Sequence, residues 1–181
     1  QGVEIVFHEA AIASVQKSVE HPIDTHLTNG GGTITVMVAA REAGVRRVLF
    51  ASSAAIYGDN PDLPKVETML PEPKSLYGVD KHFSEQVMGV YTALYGVETV
   101  ALRYFNVFGP RQDPSSPYSG VISRFCECMS QGKRTTIYGD GYQTRDFIHV
   151  ADVVKANLLA ASAALPSPHE VLNIGRGEEI N

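Results

Sequence analysis

Tyr77 and Lys81 stand four residues apart in the stretch PKSLYGVDKHFSEQV. On an α-helix that spacing places both side chains on one face. A free tyrosine titrates near 10 and is a poor base at neutral pH, but a neighbouring cation favours its phenolate. Lys81 can supply that cation, and a serine hydroxyl can hold the substrate oxygen whose proton moves. Alone, the spacing equally describes a solvated helix face. Ser52 and Ser53, in the segment SSAAIYG one strand earlier, give the pair a chemical context.

The elements that must carry these residues follow from periodicity. Short apolar runs at 3–8, 46–53 and 97–109 read as buried strands, and a further strand ends near VLNI. Helical patterns cover 22–43, stopping at Gly44, and 75–95, stopping at Gly96; others run to Gln131 and from Val150 onward. Asn29 to Thr33, NGGGT, falls inside the first helix, where each glycine costs about 1 kcal/mol relative to alanine. A close approach or a local break would account for it. The proline-rich stretch 57–73 reads as a long surface loop, and Asp140-Gly141 as a turn.

Alternating strands and helices imply an α/β fold, a parallel sheet with helices on both faces. Ligands bind such sheets beyond the carboxyl ends of the strands. Three clusters lie there: His8-Glu9-Ala10-Ala11, Ser52-Ser53-Ala54 and Tyr104-Phe105-Asn106. They are expected to line one crevice together with Tyr77 and Lys81.

Composition narrows the class. With 44% hydrophobic and 19% charged residues, the 181-residue chain has ordinary globular composition. A net charge of −5 without a basic run argues against nucleic acid as a partner. No apolar run approaches the ~18 residues of a membrane span, so no membrane partner is expected. Cys126 and Cys128 are two apart in a helical pattern and do not face each other, which fits a reducing, cytoplasmic setting. No metal site is expected: His21 and His26 show no pairing with a carboxylate, and His149 reads as a packed histidine.

FASSAAIYGD, YGVDK, LRYFNVFGPRQDP and GDGYQTRDFIHVADV together resemble the extended short-chain dehydrogenase/reductase family, in particular its NAD-dependent UDP-glucose and UDP-N-acetylglucosamine 4-epimerases. The resemblance implies a Rossmann-type, doubly wound sheet, NAD as cofactor and a UDP-sugar as substrate. It implies Tyr77 as general base, Lys81 as ribose ligand and Ser53 as partner of the sugar 4-hydroxyl. Ala10, Ala11, Asn29, Ser52 and Tyr104 would border the cofactor. Asn106 would contact the sugar nucleotide and Arg145 its diphosphate, with an ion pair to Asp146 as the plainer role for that arginine. Glu9 departs from the family, where an apolar residue or glutamine is usual. Alanines at 54 and 55, in place of an Asp-Glu pair, disfavour a 4,6-dehydratase. The loop RQDPSSPYSG leans toward the subgroup accepting both kinds of sugar.

The family's opening strand, Gly-x-x-Gly-x-x-Gly loop and helix find no counterpart. The sequence therefore reads as a partial Rossmann sheet lacking its N-terminal glycine-rich βαβ unit, truncated at both ends. The NAD-binding part is expected over 1–110 and 145–175, and part of a small substrate domain over 111–144 and 176–181. Two outcomes stay open: an epimerase core completed elsewhere, or a non-catalytic remnant serving as a binding or interaction module. An exposed sheet edge would favour homo-oligomers.

Overall fold

The computed structural model describes residues 2–116 and 120–181. Four parallel strands form the main sheet: β1 (Ile5–His8), β2 (Arg47–Ser53), β3 (Glu98–Tyr104) and β6 (His169–Ile174), in the order β1-β2-β3-β6. A separate parallel pair joins β4 (Asn106–Phe108) to β5 (Phe147–His149). The apolar run at 97–109 is thus two strands. The chain leaves the main sheet at Phe105, whose amide still bonds Ile174, and enters the small sheet at Asn106 through Asp146.

Six α-helices flank the sheets: α1 (Val15–Glu20), α2 (Pro22–His26), α3 (Gly32–Ala43), α4 (Leu76–Tyr95), α5 (Val121–Ser130) and α6 (Val150–Ser162). β2 explains the layering. Its side chains alternate between two cores, Val48 and Phe50 packing with Met37 and Met88 of α3 and α4, and Leu49 with Ala160 and Ala161 of α6. Both faces are therefore apolar, as a sheet covered on both sides requires. At the start of β2, Arg47 is almost fully buried. Its guanidinium donates to Glu98 at 2.8 and 2.9 Å and to the carbonyls of Ala160 and Ala163 at the end of α6.

The pattern over 22–43 is one helical path with a π-helical turn at Leu27–Gly31 between α2 and α3. A Cβ on Gly30 would meet His26 at 3.0 Å and Phe83 of α4 at 3.2 Å, so close packing between helices explains that glycine. α1 has only six residues and falls below what periodicity can detect; its signal was Ser14, whose hydroxyl caps Lys17 N–H. Among the described residues, no helix is long and apolar enough to cross a membrane, and no three potential metal ligands cluster.

Candidate active site

α4 brings the site together. Ser75 caps it, accepting the Gly78 amide at 3.1 Å, and Gly96 closes it in a left-handed conformation. At its first turn the helix presses against the 3₁₀ turn after β2. A Cβ on Gly78 would lie 2.8 Å from the Ala55 carbonyl oxygen and 3.0 Å from Pro73. Only glycine permits this approach, which sets Tyr77 beside Ser53.

Burial pushes the Tyr77 phenol above its ordinary pKa, while hydrogen bonding with Ser53 pulls it down. The Ser53 hydroxyl also accepts the Ala55 amide at 3.2 Å. Lys81 lies one turn on, buried, donating to the Ala51 carbonyl at 2.6 Å. Its Nζ stands 4.7 Å from the Phe50 ring centroid and 5.6 Å from that of Tyr77. Burial lowers its pKa to about 8 against the opposing pull of Glu9 and Asp80. Burial is the larger influence on the Tyr77 phenol, and the Lys81 ammonium stands over its ring.

One further turn along, Glu85 anchors the helix to the sheet. It is 2% exposed and accepts from Ser52 Oγ at 2.6 Å and from Arg103 Nε and Nη2 at 3.0 and 2.8 Å. Arg103 also donates to Tyr57 Oη, which donates to Asn173 of β6. Tyr77, Lys81 and Glu85 repeat every four residues, so one helix stripe carries both the cleft-lining groups and their anchor. Sequence reasoning overlooked Glu85 and Arg103. Their signal was an arginine inside the apolar strand run VALRYF, which a buried carboxylate must balance.

Two cavities meet here. A cleft of about 660 Å³ is lined by Glu9, Ala11, Ser53, Tyr77, Lys81 and Tyr104 among others, and a broader groove of about 1190 Å³ runs beside it. Ser53, Tyr77, Tyr104, Asn106 and Arg145 border both. The three strand-end clusters converge as the sequence implies.

Some expected contacts are redirected. Ser52 lines the cleft, but its hydroxyl turns inward to Glu85, so it offers a ligand no side-chain group. Asn29 is buried and clamps Ile12 through both amide atoms, accepting its N–H at 2.8 Å and donating to its carbonyl at 3.2 Å. It shapes the Ala10-Ala11 loop rather than facing the cleft. Ala11 lines the cleft, whereas Ala10 is exposed outside it. Tyr104 donates to Glu9 and accepts from Asn157 at 2.7 Å; burial raises its pKa. Asn106 donates to the Asp146 carbonyl and borders both cavities.

Arg145 makes no ion pair with Asp146. That carboxylate accepts the amides of Arg176 and Gly177, and the Arg145 guanidinium donates to the Thr144 carbonyl beside it. His26 does pair with a carboxylate, Asp80, at 2.7 Å. His149 caps α6 through Nδ1 and is only partly buried. Cys126 and Cys128 are free. Pro117, Tyr118 and Ser119, within the loop read for sugar preference, lie outside the described residues.

The family model for the NAD dependent epimerase/dehydratase family matches residues 1–175. The chain belongs to that family. A UDP-glucose 4-epimerase of Mycolicibacterium smegmatis is 39% identical over 179 residues, 98% of this chain and 56% of that protein. Among solved structures, the UDP-N-acetylglucosamine 4-epimerase of Methanobrevibacter ruminantium M1, in complex with UDP-N-acetylmuramic acid, superposes with a TM-score of 0.94 at 40% identity. The UDP-glucose 4-epimerase of Thermotoga maritima, with UDP-glucose, gives 0.93 at 41%. Each covers 98% of this chain, which spans 56% and 57% of those family members. Their fold is an α/β parallel sheet of the Rossmann type, as here.

Proposed function

We propose that this chain carries the catalytic core of an NAD-dependent UDP-hexose 4-epimerase. The convergence of Tyr77, Lys81 and Ser53 on one cleft carries the reading, and similarity to epimerases over nearly the whole chain supports it. The cleft's donor set suits a nicotinamide ribose. Lys81 has three ammonium protons, and Ala51 takes one of them, so a ribose diol finds donors there. The small side chains of Ala11, Ala13 and Ala51 leave room for a ring against the wall. When bound, NAD would take up and return the hydride of the sugar's carbon 4.

The chain's own groups then have distinct tasks. Ser53 holds the 4-hydroxyl, and Tyr77 removes its proton as the carbonyl forms, then returns it to the product. Lys81 binds the ribose and supplies positive charge beside the phenol. Arg145, exposed on the groove with a single short-range bond, is free to pair with a diphosphate through its guanidinium fork.

The test begins with the purified chain: denaturation, removal of precipitate and assay of the supernatant for NAD. The expected result is near-stoichiometric release, with 4-epimerisation of UDP-glucose lost at least a hundredfold in Tyr77→Phe. No released NAD, and none bound on titration to millimolar concentration, would instead identify the chain as a non-catalytic fragment.

A further inference from the structure

One charged group in the cleft has no task in the chemistry above. Glu9 follows β1 at the carboxyl end of the sheet, and it is the only acidic residue lining the 660 Å³ cleft among those described. Its carboxylate accepts the Tyr104 hydroxyl at 3.0 and 3.3 Å. With Asn157 donating to the same oxygen from α6, that phenol is held from both sides.

Across the cleft, Lys81 is a buried ammonium that makes no ion pair among the described residues; its neighbours are a backbone carbonyl and two aromatic rings. The other charged or titratable groups around it are occupied or neutral. Asp80, next in α4, is engaged by His26 of α2 at 2.7 Å. Glu85, one turn further on, is engaged by Arg103 of β3. His8 of β1 bonds Thr33 of α3, and burial with the charge of Lys81 keeps its pKa low. Tyr77 and Tyr104 are neutral phenols held above their ordinary pKa. Arg145, also on the cleft, adds like charge. Glu9 is the carboxylate that lines the cleft together with Lys81, and it stands outside the ion pairs that engage Asp80 and Glu85.

We propose that Glu9 is a positioning residue of this site, clamping the Tyr104 phenol and standing as the counter-charge that keeps Lys81 protonated across the cleft. The opposing influences on Lys81 agree with this: burial draws it down to about 8, and Glu9 is the larger of the two carboxylate influences drawing it back up. Without Glu9 a larger share of the amine is neutral near pH 7.5. A neutral amine neither favours a phenolate beside it nor offers a full set of donors to a ribose. Its relevance to catalysis rests on the epimerase reading; the coupling between Glu9 and Lys81 does not.

The experiment is therefore done on the chain after any bound NAD has been removed. Lysines labelled with carbon-13 are followed by NMR from pH 6 to 11, with Lys81→Arg identifying one signal among the six lysines. Glu9→Gln keeps an acceptor for Tyr104 and removes the charge, whereas Glu9→Asp keeps the charge. The Lys81 midpoint is expected to fall by about half a pH unit in Glu9→Gln, and to stay within about 0.2 units of the parent in Glu9→Asp. An unchanged midpoint in Glu9→Gln overturns the proposal.

Should Glu9→Gln not fold, the parent chain decides the matter through salt. Raising sodium chloride from about 20 to about 500 mM screens a counter-charge across solvent and should lower the midpoint; a constant midpoint would overturn the proposal equally. The NAD assay is independent of this titration. A chain without NAD but with Glu9-dependent Lys81 fails the epimerase reading only, and the reverse pattern fails this proposal only.

Discussion

The α4–β2 corner and the β4–β5 arm each present one cation to the same pair of cavities, in opposite ways. Lys81 is buried, bonded to Ala51 and backed by the Glu85–Arg103 pair. Arg145 is exposed, its guanidinium bonded to its neighbour's carbonyl, on a segment that returns through a single bridge to Ile180. The first cation is placed before any ligand arrives, and its surroundings alter its acidity. The second keeps its freedom. A group that must tune a proton needs a fixed, low-dielectric setting. One that must grip a diphosphate needs reach.

The contrast makes measurable demands, and the largest concerns the anchor. Glu85→Ala leaves Arg103 buried without its partner and should cost about 3–5 kcal/mol in urea unfolding. A loss below about 1 kcal/mol would mean that α4 is held by packing alone.

Next comes Lys81 and pH. Its folded pKa, about 8, lies below its value in the unfolded chain. Between pH 8 and 10 the unfolded chain therefore holds a proton that the folded chain has released, so stability rises with pH, by up to about 3 kcal/mol. Lys81→Met removes the titrating group and should lack this rise. Parallel pH profiles for the two chains would refute the burial account.

Gly78→Ala forces a Cβ against the Ala55 carbonyl and should destabilise by about 1–3 kcal/mol. Chemical shifts around Tyr77 and Ser53 should move with it. The smallest effect belongs to the arm. Arg145→Ala should leave stability within about 0.5 kcal/mol while weakening UDP-sugar binding about tenfold or more by calorimetry. If Arg145→Ala were as destabilising as Glu85→Ala, the two regions would not differ as described.

The sequence made the corner legible and the arm much less so. α4 was readable from both ends because Ser75 and Gly96 are local signals, and the spacing of Tyr77 and Lys81 survives intact on a regular helix. The crevice was readable because parallel strands must end on one side. What escaped depends on partners distant in sequence. The clamp of Asn29 on Ile12 spans 17 residues, and the bonding of Ser52 and Arg103 to Glu85 spans 33 and 18. Nothing local announced that Asn157, 53 residues away, would bond the hydroxyl of Tyr104. The departure at Phe105 was equally hidden, since an apolar run does not reveal which of two sheets will pair with it.

Ser52 and Ser53 hold adjacent places on β2, one turned to the anchor Glu85 and the other to Tyr77. Sliding the strand by one residue would put one serine in the other's place, an exchange that leaves Ala51 or Ala54 where the first had stood, and the apolar run Val48–Leu49–Phe50–Ala51 behind them would fit either way. Identical residues and a two-sided apolar strand give the molecule little means of noticing the exchange. The means lies at the far end, about 20 Å away, where Arg47 reaches Glu98 and the last carbonyls of α6. A guanidinium has no substitute one place along at Val48. The fidelity of the cleft is thus guarded from the opposite rim of the sheet, and wear at Arg47 would surface as chemistry done by the wrong serine.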